Sequence, residues 1–323
     1  MGKVAALLCA IPLLAAPLAA QGDIGPPPGR LVAVGGYRLH LYCTGAGAPT
    51  VVLASGASAF AIDWALVQPE VARTNRVCSY DRAGMGWSDS TGLVPTAERS
   101  VTELHTLLRA AGEKAPYVLV GASLAGIHVR LYQLRYPAEV AGLILVDPAH
   151  EDRLFTMFRG EAVAIASLSA ADLLSTLPSR PVSVPRRKPQ RGTPFDELPP
   201  DLYRIRIALD ERLIASVPAV VGPEIVHESA EGERAALAAL REASAAKAHP
   251  LGSLPVIVLT RGVDADQGVR DVHARAAALS TNSRHTVVDG AGHEVHLFEP
   301  AVVIAAIGDV VEAVRGQRPL ETP

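Results

Sequence analysis

The 323-residue sequence predicts an α/β fold, a mostly parallel central sheet with helices on both faces and a helical cap insertion. Three observations carry this. Short, β-branched apolar runs alternate with stretches of helical spacing along most of the chain. One junction, residues 117–136 (YVLVGASLAGIHVRLYQLRY), passes from strand to helix through a turn of small residues with Ser123 at its apex. From about residue 149 to 250 the strand signal vanishes and helical spacing takes over, which reads as an insertion into the sheet's connectivity.

In chain order, residues 31–34 and 37–42 read as a hairpin around Gly35-Gly36. Residues 50–54 (TVVLA) form a buried strand, followed by the small-residue loop Ser55-Gly56-Ala57-Ser58. Residues 62–71 are expected to be helical, and 76–80 are a strand leading into DRAGMGWSD. Residues 96–111 carry an amphipathic helix with Val101, Leu104, Leu107 and Leu108 inward. After the Ser123 junction, 140–146 (VAGLILV) is a strand that ends at Asp147-Pro148. Within the insertion, helices are expected over 161–177, 202–216 and 222–246, around a Pro-rich mobile loop, 181–200, that carries Arg186-Arg187-Lys188. Residues 255–260 (PVIVLT) resume the sheet, 271–279 is a helix, 284–289 the last strand and 301–314 the closing helix.

With 49% hydrophobic and 20% charged residues the composition is globular, and the net charge of −3 gives no basic footprint for nucleic acid. No period of a repeat protein is present. Residues 1–22 have the layout of a signal peptide: Lys3, an apolar Ala- and Leu-rich run from Val4 to Ala20, then polar, Pro-rich sequence. The run is short and broken by Pro12 and Pro17, so a permanent span is not expected. A secreted or periplasmic protein that loses this segment also loses Cys9 and keeps Cys43 and Cys78.

Taken together, the Ser-Gly-Ala loop, the stretch from Tyr80 to Asp89, the GASLAG turn, an Asp after a late strand and Gly290-Ala291-Gly292-His293 resemble the α/β-hydrolase superfamily, with a serine esterase or lipase as the nearer likeness. The resemblance runs from about Gly35 to Val314 and implies a core of residues 23–148 and 251–323 around a cap of residues 149–250. Ala125 stands where the G-x-S-x-G elbow has its last Gly, and Ser55 where many members have His.

The resemblance implies a catalytic apparatus. A Ser hydroxyl needs a base in contact, and His293, in a Gly-flanked loop after the last strand, is the candidate for Ser123. His128, His285 and His296 read as structural histidines. The acid is expected at Asp264, after the family's seventh strand, with Asp147 at the end of the sixth as the alternative and Asp266 close behind Asp264. Backbone N–H groups of Leu124 and Ala57 are the expected oxyanion donors. Asp81 and Arg82 are expected to pair and order their loop, with Trp87 packing. The family's sheet order sets the strands of Cys43 and Cys78 side by side and so implies a disulfide.

The resulting expectation is a secreted serine hydrolase that cleaves a carboxylic ester or related acyl bond of a small molecule through an acyl-enzyme, with no metal or organic cofactor implied. An aminopeptidase or amidase on the same fold would need a cap acid for the substrate amine, a role that sequence does not assign to Glu228 or Asp210. A binding protein that retains the fold without the chemistry is the alternative of another class. Dehalogenase or epoxide hydrolase chemistry needs a carboxylate at the elbow, where this chain has Ser123.

Overall fold

A computed structural model describes residues 24–320 of the chain; residues 1–22, expected to be a signal peptide, and Cys9 among them lie outside the described residues. The strands are β1 (Arg30–Ala33), β2 (Arg38–Thr44), β3 (Thr50–Ala54), β4 (Val77–Tyr80), β5 (Tyr117–Ala122) and β6 (Val140–Val146). The cap then contributes β7 (Phe155–Phe158), β8 (Glu161–Ala164), β9 (Val182–Ser183) and β10 (Val220–Val221), before the core resumes with β11 (Val256–Arg261) and β12 (Ser283–Val288). Eight of these form one sheet in the order β1-β2-β4-β3-β5-β6-β11-β12, antiparallel at β1–β2 and β2–β4 and parallel from there on.

The strands at the centre are apolar on both faces because helices cover both. On β5, Tyr117 and Leu119 enter one core cluster while Val118, Val120 and Ala122 enter the other, the period-2 split of a pleated strand. Helices α2 (Ala97–Ala111) and α3 (Ala125–Arg135) bury Val101, Leu104, Leu107, Ile127 and Leu131 on the first face. On the second face lie Trp64, the short α1 (Gln68–Val71) and α9 (Pro300–Gly316), whose Val303, Ile307, Val310 and Val311 carry its inward stripe. Helix α2 is capped at both ends: the Thr96 hydroxyl accepts from Arg99 N–H, and Gly112 closes it at φ +79°. The expected helix over 62–71 is instead a 3₁₀ turn, Ala61–Trp64, followed by α1, which starts with Pro at its first turn.

Cys43 and Cys78 are directly opposed on β2 and β4 and form a disulfide, as the strand order implied.

The cap, inserted after β6, holds α4 (Ala170–Thr176), α5 (Pro200–Ser216) and α6 (Pro223–Ala245). It also corrects two expectations. The helix expected from residue 161 begins as a strand: β8 pairs with β7 in a hairpin whose turn residues Arg159 and Gly160 both have positive φ, as a tight two-residue turn requires. The loop 181–200 is tethered: β9 pairs with β10, Arg187 binds the buried Asp210 carboxylate, and Phe195 is buried. Arg206 of α5, wholly buried, reaches 3.0 Å to Asp63 of the core and lies over the rings of Phe60 and Phe195, so cap and core share one charged anchor. Helices α7 (Gln267–Ala278) and α8 (Val295–Phe298) complete the second half of the core. No helix among the described residues is long and apolar enough to cross a membrane.

Candidate active site

The site sits at the C-terminal edge of the sheet, where β5, β6 and β11 end side by side and the loop after β12 lies against the end of β11. The turn from β5 to α3 is sharp, and Ser123 occupies it at φ +52°. That conformation is costly for a residue with a side chain and survives because the backbone around it is fixed. Ser123 N–H donates to the Val146 carbonyl (3.0 Å), and its own carbonyl accepts from Gly126 N–H and Ala149 N–H, both at 2.9 Å. A side chain two residues earlier would not fit, since a Cβ at Gly121 would lie 2.6 Å from the Ala125 carbonyl oxygen. Ala125 is fully buried, so its methyl is accommodated where the family motif has Gly.

Ser123 Oγ lies 2.8 Å from His293 Nε2, and His293 Nδ1 lies 2.5 Å from Asp147 Oδ2. An ionised carboxylate only accepts, so Nδ1 carries the proton and Nε2 is the free base facing the hydroxyl. Asp147 is buried, which alone would push its carboxyl up; the His293 hydrogen bond and charge, with the Arg261 N–H and guanidinium, outweigh that and hold it below the usual carboxylate range. His293 is open to solvent on its other side, with its side chain 43% exposed.

The expected acid, Asp264, is not at the imidazole. The segment after β11 runs flush against the β12–His293 loop, with Gly262 N–H on the Val288 carbonyl (2.9 Å) and Val263 N–H on the Ala291 carbonyl (3.0 Å), and Asp264 then lies exposed beyond it. Asp266 caps α7 through the Val269 N–H and pairs with Arg153. The carboxylate at the imidazole is that of Asp147, the alternative. Arg261, the last residue of β11, escaped the sequence reading; its N–H donates to Asp147 Oδ1 at 3.1 Å and its guanidinium binds Oδ2.

Ala57 and Leu124 flank Ser123, and no hydrogen bond within the described residues takes either N–H, which leaves both available to an oxyanion. The loop of Ala57 is packed tightly onto Ser123: a Cβ on Gly56 would stand 2.9 Å from Ser123 Cβ. Arg82 holds that loop by donating to the Ser55 and Gly56 carbonyls (2.7 Å to the latter). It does not pair with Asp81, which accepts from His40, Ala61 N–H and Trp87 N–H.

Beyond the two N–H groups opens a cavity of ≈ 420 Å³ between core and cap. Met85, Leu93, Ile214 and Val217 give it apolar walls. Arg82, Glu103, His128 and Glu233 make one region of it polar. Burial pushes the Glu233 carboxyl up to about 7 and the His128 imidazole down to about 3. The Nδ1 atoms of His128 and His296 have no hydrogen-bond partner among the described residues, unlike His285, which meets Thr260 Oγ1 at 2.8 Å. Of the cap acids considered from sequence, Asp210 is bound by Arg187 and Glu228 is 3.9 Å from Arg99, whereas Glu233 lines the cavity. Cys43, Cys78 and Glu113 converge, but the two sulfurs are bonded to each other and offer no thiolate to a metal.

The alpha/beta hydrolase family matches residues 51–306, and the chain belongs to it. The protein YqjL of Bacillus subtilis (strain 168) is 23% identical over 271 residues, covering 82% of this chain and 85% of its own. A 2-hydroxymuconate semialdehyde hydrolase of Pseudomonas sp. (strain CF600) is 32% identical over 128 residues, 38% of this chain and 44% of its own. Among solved structures, a lipase from Acinetobacter baumannii AYE superposes with a TM-score of 0.62 at 18% identity, covering 90% of this chain and 92% of the other. A thermophilic esterase from Thermogutta terrifontis does so at 0.58 and 22%, covering 88% and 98%. These structural likenesses are of fold, and the family membership supports a hydrolase.

Proposed function

We propose that this protein is a serine hydrolase that cleaves a carboxylic ester, or a related acyl bond, of a small molecule through an acyl-enzyme. The observation that carries the reading is the chain Ser123 Oγ to His293 Nε2 (2.8 Å) to Asp147 (2.5 Å), beside two unengaged N–H groups and a cavity. Ser123 Oγ attacks the acyl carbon while its proton passes to His293 Nε2. The carbonyl oxygen, now an anion, is met by Ala57 and Leu124 N–H. His293 then gives the proton to the departing alkoxide, which leaves as the alcohol and completes the acyl-enzyme. Water repeats the sequence, losing its proton to His293 and expelling Ser123. Asp147 stays ionised throughout, keeping the proton on Nδ1 and stabilising the transient imidazolium. An exported location is part of the proposal, supported by the N-terminal apolar run and by a disulfide of the kind that persists outside the cytosol.

A second reading, amide or aminopeptidase cleavage, is favoured by one observation: Glu233 of the cap lines the same cavity, where a substrate ammonium would find a carboxylate. The test is fluorophosphonate labelling of wild type and Ser123→Ala, with p-nitrophenyl esters of increasing chain length and the matching anilides. Labelling and ester turnover that both vanish in the variant are expected; anilide preference would favour the second reading. A folded wild type that neither labels nor turns over either series would overturn both and leave a binding protein.

A further inference from the structure

Asp147 carries more than a triad acid needs. Its carboxylate is fully buried and accepts three donors: Arg261 N–H on Oδ1 (3.1 Å), and both the Arg261 guanidinium and His293 Nδ1 (2.5 Å) on Oδ2. The guanidinium also lies 3.4 Å from His293 Nδ1. Since Nδ1 bears a proton, that approach sets two donors against one another, and its electrostatic sense is repulsive once the imidazole is charged. Arg261 is anchored for this by its place in β11, which pairs with β6 in register up to Val146↔Leu259, so the two strand ends hold Arg261 beside Asp147.

We propose that Arg261 is a positioning residue for the Ser123–His293–Asp147 chain: it fixes the Asp147 carboxylate through both oxygens and sets its positive charge beside the imidazole. This rests on the serine hydrolase reading. Two effects point the same way. A cation beside the ring opposes its protonation, and a cation on Oδ2 withdraws part of the negative charge that would favour the imidazolium. The charged groups hydrogen-bonded to or paired with the imidazole, among the described residues, are Asp147 and Arg261. His296, packed close by, is buried and held neutral with its pKa lowered to about 3, and His273, facing Asp147 from α7, is lowered by burial and tied between Thr260 Oγ1 (2.7 Å) and the Pro148 carbonyl (2.8 Å).

The test compares the acid limb of kcat/KM for a p-nitrophenyl ester in wild type, Arg261→Met and Arg261→Lys. His293 is partly exposed, so screening limits the effect; the limb is expected to move up by about half a unit to one unit in R261M and to stay near wild type in R261K. A limb that stays in place in folded R261M, with only kcat lowered, would overturn the proposal by reducing Arg261 to a structural group. If R261M does not fold, Arg261→Gln, planar and uncharged, is read the same way. The His293 ring titration, followed by proton NMR in a Ser123→Ala background with and without R261M, gives the comparison without substrate. A wild type inactive on every ester would therefore sink the hydrolase reading while the ring titration still decides the role of Arg261.

Discussion

At Asp147 the backbone itself is unusual: φ is +42°, and the N–H donates to the Leu259 carbonyl at 2.7 Å, so the residue turns out of β6 while the sheet still holds it. That turn aims the carboxylate at His293. Replacing Asp147 by Asn keeps the volume but offers Nδ1 an amide that can hold the wrong tautomer, and kcat is expected to fall by about 10³–10⁴-fold. Asp264→Asn, on an exposed residue with no hydrogen-bond or ion-pair partner among the described residues, is expected to leave kcat unchanged. Steady-state kinetics of the two variants distinguishes the positions; the reverse result would return the acid to Asp264. Ser123 and His293 were legible because each sits in a local pattern of small residues and glycines that has few other uses. The acid was not, because β6 and β11 are neighbours and an Asp follows the end of each. The choice depends on backbone hydrogen bonds between two loops distant in sequence, and no local pattern encodes them. Arg261 and Glu233 escaped for a similar reason, as a charged residue at a strand end or on a helix has many ordinary roles.

Among the elements, the antiparallel edge of the sheet depends on a covalent tie. The disulfide joins β2 to β4 across a sequence separation of 35, while β1 pairs only with β2. By loop-closure entropy a link of that span stabilises by about 3–4 kcal/mol. The Cys43→Ala/Cys78→Ala protein, or the reduced wild type, is expected to unfold at a lower temperature, with hydrogen exchange rising first in β1 and β2; an unchanged melting profile would contradict this. The strands of the core were legible element by element, since buried parallel strands are continuous apolar runs. The cap hairpin was not: β7 and β8 are half exposed, Met157 among them, and their only sequence mark is the Arg159-Gly160 turn.

For the whole molecule, the junction of cap and core rests on a buried ion pair. Arg130 of α3 donates to both oxygens of Glu151 (2.6 and 2.8 Å) at the start of the cap, and to Ser244 Oγ of α6 at 3.3 Å. Burial pushes the Glu151 carboxyl up, but the Arg130 charge prevails and lowers it from 4.5 to about 2. The stability this gives is fully present above 4.5 and is lost as pH falls toward 2. His150, kept neutral by burial with its pKa lowered from 6.5 to about 4, acts in the same direction, because the unfolded chain takes up its proton first. Acidification should therefore loosen the cap ahead of the core, read as faster hydrogen exchange in α6 than in β5. Glu151→Gln should flatten much of that pH dependence while lowering stability throughout. Equal exchange of cap and core across the range would refute the idea.

The position of the acid on β6 has a consequence for how such a site could be moved or remade. The proposed nucleophile and acid both belong to one βαβ unit, β5-α3-β6, running from Tyr117 to Asp147 without a break. Of the three hydrogen-bonded side chains, the histidine arrives from elsewhere. A transplant of this chemistry into another parallel sheet would thus need one contiguous cassette and two recipient loops, one for the histidine and one for the Ala57 N–H. The segment after β11, relieved of supplying the acid side chain, keeps a backbone role instead, since its Gly262 and Val263 N–H groups hold the Val288 and Ala291 carbonyls of the loop that carries His293.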